Sequence, residues 1–331
     1  MLLARHTKRR DFITLLGGAV AWPLAARAQQ PAMPVIGLLN GQSSTGFLPA
    51  FRQGLSEVGF NEGRNVAIVY RSAEGEVDRL PALAAELVQL RVVVIAAVGG
   101  DNSVRSAKAA TATIPIVFTT GADPVEFGIV GSLSRPGGNV TGATFLSSLA
   151  AAKQIGLLRD IVPNLATIGL LVNPVNAPGL AAAVTNDVQK SAQAAGIKTI
   201  IVEVNNERDI EPAFARLVEQ RIEALVIAGI VFFNLYRDRL VALTAQYRIP
   251  AIFSNRVFPA AGGLMSHGAD ARDAYRQAGV YAGRILKGEK PADLPVVQST
   301  KFVFVINMKT VKALGVTVPP GLLAIADEVI E

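Results

Sequence analysis

Residues able to do covalent chemistry are scarce in this chain of 331 residues, which has two histidines and no cysteine. His6 falls in a basic leader, so His267 is the imidazole left for a folded core. It stands beside Ser266 and three residues before Asp270. A Ser-His-Asp triad draws its members from distant parts of a chain, and neighbours on a strand point to opposite faces. This trio therefore reads as a strand end near a cleft, with no strand-turn-helix elbow to present a nucleophile. There is no Gly-x-x-x-x-Gly-Lys phosphate loop and no Gly-x-Gly-x-x-Gly fingerprint. No His, Asp and Glu group has metal-ligand spacing. Without cysteine there are no disulfides, thiolate metal sites or lipid-modified N-terminal cysteine. The expectation is a protein that is not an enzyme and carries no cofactor or metal.

What remains is the chemistry of recognition. Small polar residues gather where apolar runs end: Asn40, Gln42 and Ser43; Gly99, Gly100, Asp101 and Asn102; Thr120 and Asp123; Asn173; Gly229; Ser254. Ser147 is a further candidate. Hydroxyls, amides and free backbone N–H groups suit a small carboxylate, and Asp101 or Asp123 suits an ammonium. Each residue taken singly also fits an ordinary helix cap or turn. Taken together they point to a polar cleft. The helix starting near Ser103 is expected to turn its N–H groups toward an anionic part of the ligand. Asp101, at the same mouth, would then meet an ammonium or hydroxyl.

The elements that must position these residues come in a repeat. Ile36-Gly37-Leu38-Leu39 returns as Ile168-Gly169-Leu170-Leu171, and Val94-Ile95-Ala96 as Val226-Ile227-Ala228, both 132 residues on. Ile114-Pro115 returns as Ile249-Pro250, 135 residues on. Three runs in one order at a near-constant shift imply one unit built twice. Apolar runs alternate with stretches of helical period, as at Leu80, Leu83, Leu87 and Leu90. That alternation predicts parallel strands with right-handed crossovers, in two doubly wound α/β lobes with a cleft between them.

At the N-terminus Lys8-Arg9-Arg10-Asp11-Phe12-Ile13 is a twin-arginine pattern, followed by a mildly apolar stretch and Ala26-Arg27-Ala28 before Gln29. This is the pattern of a cleavable export signal over residues 1–28, cut between Ala28 and Gln29. The stretch is too short and weakly apolar to span a bilayer core of about 30 Å. Removing it takes away five basic residues and one acid, lowering the net charge from +6 to +2. No block of Lys and Arg is left to form a phosphate footprint, which argues against nucleic acid as a partner.

Several runs together resemble the ABC-transporter substrate-binding proteins of the tryptophan-binding-like group. They are Pro34-Val35-Ile36-Gly37-Leu38-Leu39, Phe51-Arg52-Gln53-Gly54-Leu55, Asp123-Pro124-Val125, Gly262-Gly263-Leu264-Met265-Ser266 and Asn307-Met308-Lys309-Thr310. The most specific is Arg135-Pro136-Gly137-Gly138-Asn139-Val140-Thr141-Gly142. The resemblance implies a type I periplasmic binding fold, with two Rossmann-like lobes joined by three hinge crossings. It implies a monomeric periplasmic carrier that binds a small organic solute, an amino acid or carboxylate, and hands it to the membrane permease of an ABC importer. Asp101-Asn102 departs from the commoner small or apolar pair of that group. The crossings are expected near Leu146-Ser147, Arg256-Val257 and Pro291-Asp293. The first lobe would then hold 34–146 plus 257–291, and the second 147–256 plus 292–331. The strand from Gly263 to His267 would return to the first lobe. An exported sensory binding protein, or a two-lobed secreted transferase, are the competing functions.

Overall fold

A computed structural model of the chain describes residues 33–42, 46–145, 150–299 and 301–331. The leader with Ala28 and Gln29, and the expected site residues Ser43 and Ser147, lie outside the described residues.

From Pro34 onward the chain forms one compact unit of two lobes, each an α/β sandwich. Strands and helices alternate through β1 (Val35–Asn40), α1 (Leu48–Glu57), β2 (Ala67–Ser72), α2 (Leu80–Gln89), β3 (Val94–Val98), α3 (Asp101–Ala110), β4 (Ile116–Thr120) and β5 (Val140–Thr144). The plan recurs in α4 (Ala151–Ile161), β6 (Thr167–Val172), α5 (Pro178–Ala194), β7 (Lys198–Glu203), α6 (Ile210–Glu219), β8 (Ala224–Ile227), α7 (Val231–Leu235), α8 (Arg237–Gln246) and β9 (Ala251–Phe253). The chain ends through α9 (Val257–Ala260), β10 (Met265–Ala269), α10 (Ala271–Leu286), β11 (Val297–Gln298), β12 (Phe302–Asn307), α11 (Met308–Leu314), α12 (Pro320–Ala324) and β13 (Glu328–Ile330).

The first sheet runs β11-β5-β4-β3-β1-β2, all parallel. The second runs β13-β12-β10-β9-β8-β6-β7, with β12 antiparallel to β10. Both contain the same five-strand core in the same order, so the sequence repeat is a repeat of topology. In each, strand order reverses beside the first strand, at β1/β3 and at β6/β8. Crevices at such switch points are where open α/β sheets bind ligands.

Both faces of the first sheet are buried. Leu39, Ile95 and Ala97 enter one apolar cluster, while Leu38, Val94 and Ala96 enter another on the opposite face. This period of two explains why the strands read as unbroken apolar runs. The second cluster is completed by Tyr275, Ala278, Tyr281 and Ala282 of α10, from the C-terminal part of the chain. α10 crosses α1 closely enough that a Cβ on Gly54 would lie 1.9 Å from the Arg276 carbonyl oxygen, and one on Gly279 would lie 2.0 Å from that of Phe51. Only glycine permits that approach.

The lobe boundaries differ from the sequence expectation at two of the three crossings. β10 pairs with β9 and β12, so it belongs to the second sheet as the counterpart of β5. The chain therefore crosses at Asp270, between β10 and α10, not near Arg256-Val257. β11 then pairs with β5 in the first sheet before β12 joins the second. The last crossing thus falls between Gln298 and Phe302 instead of near Pro291-Asp293. In both cases edge pairing, which periodicity does not encode, decides the lobe. The remaining crossing lies between Phe145 and Ala150, and the expected Leu146-Ser147 within it is outside the described residues. Backbone bonds tie the crossings together, Ser299 N–H donating to Thr144 O at 2.8 Å and Asp270 N–H to Lys301 O at 2.8 Å.

Candidate functional site

Two adjoining cavities, with about 400 and 520 Å³ of empty space, occupy the cleft at the two switch points. They share Phe145, Gly229, Val231 and Tyr275 as common walls.

The inner cavity is built by parallel devices in each lobe. At the end of β1, Asn40 Oδ1 accepts from Gln42 N–H at 3.1 Å. At the end of β6, Asn173 Oδ1 accepts from Asn176 N–H at 2.7 Å. Each asparagine is a turn former that presents a buried amide side chain to the cleft. Gln42 is 3% exposed and Asn176 7% exposed, and both line the cavity. Gln42 Oε1 and Asn176 Oδ1 have no hydrogen-bond partner. A buried acceptor left unpaired is costly, so these oxygens are suited to a ligand that brings donors.

Gly99 and Gly100 close the same cavity with φ of +77° and +125°. A Cβ on Gly99 would fall 1.9 Å from Asn40 Oδ1. The pair lets backbone replace side chain at the cavity wall. Asp101 and Thr120 follow on the same wall. Tyr275 and Phe47 stack at 4.6 Å between ring centroids and give the cleft an aromatic wall. Burial pushes the Tyr275 phenol up, against the lowering influence of the Thr119 hydroxyl and Gly99 backbone. On the second lobe Phe258 and Val231 supply apolar surface, and Ser254, Asn234 and Asn255 neutral polar groups.

No Lys or Arg lines either cavity among the described residues, and Asp101 is the only acid. Its carboxylate is 2% exposed, and protein groups hold both oxygens. Oδ1 accepts from the Thr120 hydroxyl at 2.6 Å, and Oδ2 accepts from Leu180 N–H of the other lobe at 3.2 Å. Each oxygen of the carboxylate expected to meet a ligand ammonium thus already has one protein donor. The expected anion site on α3 is corrected, because a carboxylate already occupies the first position of that helix.

The structure separates the other expected residues. Gln42, Gly99, Gly100, Thr120, Gly229 and Ser254 reach the cleft lining. Asn40 lies behind it, donating through Nδ2 to the Tyr70 hydroxyl at 2.7 Å. Asn173 is fully buried and supports Asn176 without facing the cleft. Asp123 is removed from the site, since its carboxylate accepts from Val125 and Glu126 N–H groups in a turn. Asn102 spans the lobes, its Nδ2 donating to the carbonyls of Val175 at 3.0 Å and Asn176 at 3.1 Å. Sequence reasoning missed Tyr275, Phe47, Phe145, Phe258 and Val231. Asn176 had a signal, being offset from Asn173 much as Gln42 is from Asn40.

Among the described residues, the cleft lining pairs no nucleophile with a base. Two doubly wound lobes, three crossings and a cleft at both switch points define the type I periplasmic binding class. Residues 32–330 match the family described as ABC transporter substrate binding protein, and the chain belongs to that family. It is 28% identical over 274 residues to the tyrosine-binding protein of Clostridioides difficile, covering 80% of this chain and 75% of that one. A Streptococcus pneumoniae ABC domain solved in complex with L-Trp superposes with a TM-score of 0.83, at 24% identity, over 90% of this chain and all of that one. A Vibrio cholerae conserved domain protein gives 0.82 at 26% identity, over 90% and 99% of the two chains. A ligand-free, open structure of a Clostridium difficile substrate-binding protein gives only 0.65 at 24% identity, over 90% and 99%.

Proposed function

We propose that this chain is the solute-binding component of an ABC importer and takes a small amino acid with an aromatic side chain. The observation that carries this is the lining of the cleft. An aromatic wall of Tyr275, Phe47, Phe145 and Phe258 adjoins two unpartnered buried amide oxygens, one from each lobe. Rings suit an aromatic side chain, and the amide oxygens suit the ammonium of an amino acid. The tyrosine-binding relative and the L-Trp complex support the same ligand class. A bare carboxylate is disfavoured, because among the described residues no Lys or Arg lines these two cavities and Asp101 is the one acid there.

The ligand is bound by a monomer in the periplasm, which the twin-arginine leader reaches before cleavage after Ala28, and is delivered to a membrane permease. Thermal shift with L-tyrosine, L-tryptophan, L-phenylalanine and benzoate tests the ligand class. A binding amino acid at a hundredfold excess over Kd stabilises the fold by about 2.7 kcal/mol. A shift with benzoate and none with the amino acids would overturn the reading. For export, Arg9→Lys with Arg10→Lys is expected to leave uncleaved precursor in the cytoplasm, and normal periplasmic accumulation would defeat the twin-arginine assignment.

A further inference from the structure

We propose that Asp101, Asn102 and Phe127 of the first lobe form a clasp that closes the cleft by gripping the first turn of α5, which makes Asp101 a positioning residue for capture and not a ligand contact.

α5 starts without a cap of its own. Ala177 precedes it and offers no side-chain acceptor to the free N–H groups of the first turn. Asp101 supplies that acceptor from the other lobe, taking the Leu180 N–H, the third residue of the helix. This is the bond an N-terminal Asp makes within its own chain segment, here made in trans. The carboxylate also heads α3, so the positive ends of two helices from two lobes converge on one buried charge. No Lys or Arg is needed to hold it.

Asn102 adds two bonds to the loop that leads into α5, at Val175 and Asn176. Phe127 adds an apolar contact. It packs against the core of the second lobe, and a Cβ on Gly179 would stand 2.9 Å from its ring and 3.1 Å from Asp101 Oδ2. The grip therefore closes on a glycine. All these partners are protein atoms, so the clasp favours closure without requiring any one ligand. Because Asn176 sits both in the clasp and in the cleft lining, closure also sets the position of one of the two unpartnered acceptors.

The test uses the absence of cysteine from the chain. Spin labels at Arg64→Cys and Gln220→Cys, exposed positions on the two lobes, report the distance between them. The labelled protein is compared with its Asp101→Ala, Asp101→Asn and Gly179→Val forms, ligand-free and with L-tyrosine or L-tryptophan. Asp101→Ala and Gly179→Val are expected to move population from the short to the long distance by about tenfold, the weight of a hydrogen bond to a charged group. Asp101→Asn, which keeps one acceptor, falls between. For whichever amino acid binds, dissociation speeds up by the same factor while association is little changed. Gly179→Val gives a second route, because it blocks the grip without removing any hydrogen-bonding side chain. The same distance distribution in all four proteins would overturn the clasp, and so would a wild-type protein found only at the long distance under every condition. Failure of both amino acids to bind the wild type would overturn the proposed ligand class and leave the distance comparison to judge the clasp.

Discussion

Asn40 and Asn173 end the first strand of their respective lobes, and each uses its side-chain oxygen to shape the following turn. The repeat thus extends from strand order to the presentation of Gln42 and Asn176. Beyond that turn the lobes part company. After β3 the chain runs Gly99-Gly100-Asp101 into a ten-residue helix with a buried charge at its head. After β8, at the equivalent place, it runs Gly229-Ile230-Val231 into a five-residue apolar helix with no charge. Duplicated scaffolding gives symmetric amides, while the residues hung on it give one lobe the carboxylate and the other the helix end that receives it. Symmetry serves the cleft's shape, and asymmetry serves its closure.

The largest break in this comparison should come from the wall that only the first lobe borrows. Tyr275 rides on α10, which reaches the first sheet through the contact at Gly54 and Gly279. Gly279→Val should force the helices apart and cost about 3 kcal/mol, the upper range for overpacking. Urea unfolding checks it, and an unchanged midpoint would mean that α10 is not held by this contact.

Next in size are the paired asparagines. Asn173→Ala leaves the buried Asn176 N–H without its acceptor, and Asn40→Ala does the same to Gln42. Each should cost about 2 kcal/mol of stability, the penalty for stranding a buried donor. Similar losses would sharpen the view that the two turns are equivalent. A loss confined to one would break it.

The Gln42 amide itself should show opposite signs in two measurements. Gln42→Met removes a buried unpartnered oxygen. The ligand-free protein should become more stable by up to about 1 kcal/mol, while affinity for the amino acid falls by about tenfold. Calorimetry with thermal melts separates the two. A loss of ligand-free stability would show that the oxygen is already used in the folded protein.

The smallest effect concerns pH. His267 stacks on Phe302 at 5.6 Å, and burial holds its pKa below 6.5, with Lys153 lowering it further and Asp327 raising it. The unfolded chain therefore takes up this proton first on acidification. The stability from a neutral His267 is complete above pH 6.5 and is lost as pH falls from there through the folded pKa. His267→Gln should flatten stability against pH between about pH 7 and about pH 5. An unchanged slope would assign that dependence to other groups.

Much of this was legible because it is local. Apolar runs of period two and stretches of helical period predicted the strands and helices, and the 132-residue shift predicted that the second lobe would repeat the first. Polar residues at strand ends placed Gln42, Gly99, Gly100 and Gly229 at the cleft. Periodicity says which face of a helix is buried, not against what. It therefore cannot tell Tyr275 and Phe47, which form cleft wall, from core, and it places β10 in the wrong lobe because the helix after it crosses back. Asp101 shows the boundary most plainly. Its type and its place before a helix follow from the chain itself, and they pointed to a ligand's ammonium. Its second oxygen is taken by Leu180, 79 residues away. A carboxylate's role is set by which donors reach it once the lobes meet, and that meeting is a long-range event no local pattern records.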